Sequence, residues 1–124
     1  MSTTPVRLSI PAEAQYARVV RMTASNLAVL AEMGVDDVED VRMAAEEGFV
    51  YACATGPEVC DVSFSFEDGG IRISFVLGEL DAADDETTDL GLIEALLSAV
   101  CDDYGFSDDG MNLVLIKKAS PHAE

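Results

Sequence analysis

From Val62 to Leu77 the chain alternates apolar and small polar residues on both sides of Asp68-Gly69-Gly70. Val62, Phe64 and Phe66 form one arm, with Ser63 and Ser65 between them; Ile71, Ile73, Phe75 and Leu77 form the other. A period of two marks a half-buried strand. Asp-Gly between two such arms marks a tight hairpin turn. One face of this hairpin must therefore be covered, while Ser63, Ser65, Arg72 and Ser74 turn to water. The cover is available in the same chain, because the flanking segments carry helical spacing. Tyr16, Val19, Val20, Ala24, Leu27, Leu30 and Ala31 predict a first helix, opened by Pro11 and closed by Gly34. Asp36 with Glu39 resembles a capping box, and the stripe Val38, Val41, Ala45, Gly48, Phe49, Ala52 predicts a second helix. Gly48 in mid-helix costs about 1 kcal/mol relative to Ala, which implies close approach of another group.

Val6 to Ile10 predicts a first strand, and Met111 to Ile116 a last one. Leu90 to Val100 predicts a third helix, with Asp102-Asp103 at its C-terminal end, against the helix dipole. Between hairpin and third helix lies an acidic run, Glu79 to Asp89, expected to be a mobile loop; the tail from Ala119 should fray. The order is strand, helix, helix, strand, strand, helix, strand. It predicts an α/β (α+β) two-layer sandwich, with helices on one face of a mixed, mostly antiparallel sheet. At 124 residues this is one domain, with its core between about residues 6 and 118.

Seven Lys and Arg face 24 Asp and Glu, a formal charge of -17. Nucleic-acid phosphates and anionic lipids both require a basic face, so neither is an expected partner. No apolar run reaches the roughly 18 residues of a membrane span, and Ser2 to Pro5 is polar, so a cytoplasmic setting is expected. Cys53, Cys60 and Cys101 contain no Cys-x-x-Cys pair and read as buried reduced thiols, with no metal expected. His122, the sole histidine, cannot supply a catalytic triad from the tail.

Four runs carry a resemblance. They are Tyr16-Ala17-Arg18-Val19, the stretch Asp37 to Glu47, the stretch Leu92 to Val100, and Gly110 to Lys118. In order and spacing they resemble the anti-sigma regulatory factors that are also serine-protein kinases. These are small bacterial members of the histidine-kinase-like ATPase fold, the GHKL superfamily. The resemblance implies that fold, a sigma factor or an anti-sigma antagonist as partner, and a homodimer. It also implies an ATP site with magnesium, and there the sequence departs from the pattern. Glu47 stands at the general base of the family's Glu-x-x-x-Asn helix motif, but the magnesium-holding Asn is Tyr51. Tyrosine is a poor ligand for an ion that wants compact oxygens. The adenine-reading Asp of Asp-x-Gly-x-Gly is Gly78, and its glycines are Leu80 and Ala82; one residue on, Glu79 could accept that hydrogen bond. Of the phosphate-cradling Gly-Leu-Gly-Leu run, Gly91 survives in Asp89-Leu90-Gly91-Leu92.

No Lys or Arg occurs from Ile73 to Ile116. A phosphate about 8 Å from each acid of the loop would meet roughly 2 kcal/mol of repulsion per pair before screening. With these departures, the resemblance implies an anti-sigma-like regulator that acts by protein binding and has a degenerate nucleotide site, with no cofactor expected. Arg18 and Arg21, on the outer face of the first helix, are the candidate partner contacts. The alternative is an active ATP-dependent serine-protein kinase with a remodelled site, using ATP and magnesium. A third possibility is a sensor that takes another small ligand in the old cavity.

Overall fold

The computed structural model describes residues 4–120; His122 and the end of the tail lie outside the described residues. Five strands form one sheet in the order β1-β2-β3-β5-β4. They are β1 Val6–Pro11, β2 Val59–Glu67, β3 Gly70–Val76, β4 Asp103–Phe106 and β5 Asn112–Lys117. Every pairing among them is antiparallel. Three helices, α1 Ala17–Leu30, α2 Val35–Ala54 and α3 Leu90–Val100, form the second layer. α2 lies over β3 and β5, with α1 and α3 on either side of it. This is the two-layer α+β sandwich expected from the element order.

The expected hairpin forms, and in it Val62 pairs with Phe75, Phe64 with Ile73 and Phe66 with Ile71. Asp68 (φ 47°) and Gly69 (φ 79°) occupy the turn, the positive-φ pair of a type I′ hairpin. Phe64, Ile71, Ile73 and Phe75 point at the helices and are buried with Val62, Leu113 and Leu115. Gly48 explains itself here. A Cβ on it would lie 2.4 Å from Cε1 of Phe75 and 3.0 Å from Cδ1 of Leu115. α2 can sit this close to β3 and β5 only because that position has no side chain.

Several local expectations are corrected. Pro11 does not start a helix; it ends β1 opposite Val59, on a sheet edge where a missing N–H is tolerated. α1 buries Val20, Ala24 and Ala28, while Val19 and Leu30 are exposed. Small alanines let α1 and α2 approach closely, and the larger side chains turn outward. Glu32, not Gly34, takes the left-handed position after α1, and Gly34 is instead the N-cap of α2. No side-chain cap forms there: Asp36 lies in the first turn of α2, and Glu39 pairs with Arg42 at 2.8 Å.

Asp102-Asp103 does not extend the third helix. The Asp102 N–H donates to the Ile116 carbonyl at 2.9 Å, and Asp103 begins β4 on the far side of β5. The acidic run also has more local structure than a mobile loop implies. Ala82–Asp84 is a single 3-10 turn, and Asp85 accepts hydrogen bonds from Thr87 and Thr88. Those bonds, first from the Thr87 hydroxyl, hold the Asp85 carboxyl below its ordinary pKa. The start of the tail is held too. Asp37, buried in the first turn of α2, accepts from the amide and the hydroxyl of Ser120, both at 2.7 Å. Lys117 completes the cluster, 3.1 Å from Asp40. No described helix is long and apolar enough to cross a membrane.

Candidate functional site

The C-terminal half of α2, the segment after β3 and the end of β4 enclose an open cavity of about 450 Å³. Tyr51, Thr55, Gly78, Leu80, Asp81 and Phe106 supply most of its wall. Tyr51 is delivered by helix spacing, one turn after Glu47. Gly78 is delivered by β3, whose end runs past the C-terminus of α2. The contact between the two elements is made by Thr55. Its hydroxyl donates to the Ala52 carbonyl at 2.6 Å and accepts from the Gly78 N–H at 2.8 Å. Its carbonyl accepts from the Leu80 N–H at 2.9 Å. A Cβ on Gly78 would meet that carbonyl oxygen at 2.3 Å and the Pro57 nitrogen at 2.7 Å. Only glycine fits while β3 lies this close to α2.

Tyr51, Gly78 and Leu80, separated in sequence, thus come together at one cavity. Glu47 lies half-buried one turn earlier on α2 and is not part of its wall. Burial, and then the neighbouring Glu46, push the Glu47 carboxyl above its ordinary pKa. Gly91 is exposed in the first turn of α3, also away from the cavity. The amide end of α3 has its own acceptor: the Asp89 side chain takes the Leu92 N–H at 3.0 Å. A helix N-terminus attracts anions through such free N–H groups, and here a carboxylate of the chain has taken that role.

The two candidate arginines are not equivalent. Arg18 is exposed on α1, as expected. Arg21 is not on a free outer face: it is part-buried and ion-paired with Glu46 across the α1–α2 contact. Its first task is to join two helices.

Phe106 was not legible as a site residue. Its ring centroid lies 5.7 Å from that of Tyr51, tilted by 49°. The signal was the short Tyr104-Gly105-Phe106 alternation, hidden among four aspartates from Asp102 to Asp109. The electrostatics of the cavity are one-sided. Burial raises the pKa of the Tyr51 phenol, and the carboxylates of Asp81 and Glu94 raise it further. No Lys or Arg contributes to the wall. Among the described residues, no three His, Cys, Asp or Glu side chains are grouped to hold a metal ion. A depression of about 500 Å³ lies on the open face of the sheet, by Arg72, Asp103, Gly105 and Ile116, and contains none of the nucleotide-motif positions.

No protein-family model matches this chain, and no curated protein matches it by sequence. Solved structures do match by shape. One is the crystal structure of the RsbU and RsbW domains of Rv1364c from Mycobacterium tuberculosis, at TM-score 0.67 and 20% identity. The match covers 98% of this chain and 34% of that one, so this chain spans about a third of its length. At that identity the likeness is one of fold, and it extends over almost every element from β1 to β5. The chain therefore shares the two-layer α+β fold found in that two-domain structure.

Proposed function

We propose that this chain is an anti-sigma-factor-like regulator that works by binding another protein, and that its nucleotide site is degenerate. The carrying observation is Tyr51. At the position where the resembled family holds magnesium, this chain has a phenol set against the Phe106 ring. Three further observations support the reading. Gly78 has no side chain to read an adenine, and steric contact forbids one. Asp89 already caps α3. Asp81 and Glu94 set a negative potential at Tyr51. These groups do not fit a magnesium–triphosphate, which needs cations or free backbone N–H groups against its charge.

The proposed partner is a sigma factor or an anti-sigma antagonist, met in the cytoplasm by a single-domain chain that can pair with a second copy. Arg18 is the proposed contact on α1, because it is exposed and Arg21 is committed to Glu46. The test has two arms. Titration calorimetry with ATP, with and without magnesium, should show no saturable heat up to millimolar nucleotide. Binding assays against sigma factors and antagonist proteins of the same organism should find a partner whose affinity falls in Arg18→Ala. The kinase alternative keeps one feature, the raised pKa of Glu47. A micromolar dissociation constant for magnesium-ATP, with phosphate transfer to an antagonist serine, would replace the proposed reading with that one.

A further inference from the structure

We propose that the cavity lined by Tyr51 and Phe106 is a binding site for an organic cation, a guanidinium or alkylammonium group. Two rings with centroids 5.7 Å apart stand side by side, and Phe106 remains 56% exposed. Leu80, 65% exposed, extends the apolar surface beside them. Aromatic faces attract a cation held within about 6 Å of the ring. Apolar contact covers the methylenes that carry such a charge.

The polar groups around these rings are acids. Glu79 and Asp81 belong to the wall, and Glu94 approaches Tyr51 from α3. The neutral donors are spent: the Thr55 hydroxyl serves Ala52, and the Gly78 N–H serves Thr55. Elsewhere five of the 24 acids are matched. Glu39, Glu46, Glu67, Asp37 and Asp40 each face an Arg or Lys. Glu79, Asp81 and Glu94 have no such base among the described residues. Burial first raises the pKa of the Tyr51 phenol, and the carboxylates of Asp81 and Glu94 raise it further. Rings, open apolar wall and unmatched carboxylates are independent features, and together they suit one ligand chemistry. That chemistry is opposite in sign to a nucleotide.

The cation can come from a free small molecule or from an arginine or lysine of a protein partner. Either way, the site stands or falls apart from the regulatory reading, because the test needs no sigma factor. The full chain, labelled with nitrogen-15, is titrated at 150 mM salt with agmatine and with acetyl-Gly-Arg-Gly-amide. The control is the citrulline peptide, a neutral isostere. Saturable amide shifts are expected at Tyr51, Leu80, Asp81 and Phe106, at least tenfold weaker with citrulline. Tyr51→Leu and Phe106→Leu, which keep an apolar side chain but remove the ring, should each weaken binding at least fivefold. Agmatine binding as tightly as the peptide identifies a free cation as ligand; peptide binding alone identifies a partner's side chain. Three results overturn the proposal: no saturation by 50 mM, equal binding of citrulline, or shifts spread over the acidic surface and unchanged in both variants.

Discussion

Replacing Gly78 by Ala should be among the costliest single-methyl additions in this chain. The new Cβ would stand 2.3 Å from the Thr55 carbonyl oxygen and 2.7 Å from the Pro57 nitrogen. Both are backbone atoms, so no side-chain rotation relieves the contact. Ordinary non-bonded separation requires the end of β3 to move about 1 Å from the end of α2. That movement strains the bonds from the Gly78 N–H to the Thr55 hydroxyl and from the Leu80 N–H to the Thr55 carbonyl. Overpacking of this kind costs about 1–3 kcal/mol, and each weakened hydrogen bond about 0.5–1.5 kcal/mol. The loss of a flexible glycine from the unfolded chain returns about 0.4–1 kcal/mol. The net expectation is a destabilisation of about 2–3 kcal/mol, or roughly 8–12 °C in Tm for a domain of this size. Urea unfolding followed by circular dichroism measures it directly. Gly91→Ala is the control, since its Cβ would meet only Asp89 Oδ1 at 3.6 Å. A Gly78→Ala variant within 0.5 kcal/mol of wild type would refute the packing argument. Gly78→Asp, which introduces the adenine-reading residue of the resembled family, carries the same Cβ and should cost at least as much.

Tyr51→Asn restores the resembled family's magnesium position, yet magnesium-ATP heats should stay undetectable in calorimetry, because Gly78, Asp89 and the acidic wall are unchanged. The Asp37 carboxyl is buried, which disfavours its charge, but Ser120 and Lys117 outweigh that and hold its folded pKa below the ordinary value. Its contribution is therefore fully present above the unfolded pKa near 3.9 and is lost as pH falls through the lower folded value. Asp37→Asn should cost about 1–3 kcal/mol at pH 7, and its deficit in urea melts should shrink below about pH 4; a deficit independent of pH would contradict the linkage. Burial pushes the thiols of Cys53 and Cys101 up to about 11 and that of Cys60 up to about 12. Labelling by a disulfide reagent at pH 8 should thus run on the order of 100-fold slower in native than in unfolded protein, and free-cysteine rates in the native state would show that the thiols are open.

The elements legible in sequence are those whose signal is local. The 62–77 hairpin declared itself by alternation and an Asp-Gly turn, and α3 by its apolar spacing. β4 did not, because four residues opened by Asp103 become a strand only through pairing with β5. The face of α1 was misjudged in part. Val20 and Ala24 of the expected stripe are buried, but Ala28 was left out of it and the larger Val19 and Leu30 turn outward. The cavity was half legible. The resemblance located Tyr51, Gly78 and Leu80: Tyr51 lies on a predicted helix, and the other two follow the predicted hairpin directly. Phe106 rides on the strand that was missed, and Thr55 matters through hydrogen bonds that no periodicity announces.

The strand order has a consequence for chains cut short. β5 follows the other strands in sequence, yet it lies between β3 and β4 rather than at a rim. A chain that stops before Asn112 lacks the partner of both, so β4 has nothing to pair with and β3 shows an open edge beside buried Ile73 and Phe75. Such an edge invites pairing with another molecule. During synthesis the sheet therefore closes late, when this stretch becomes available, and nascent or nonsense-truncated chains are the ones exposed to aggregation.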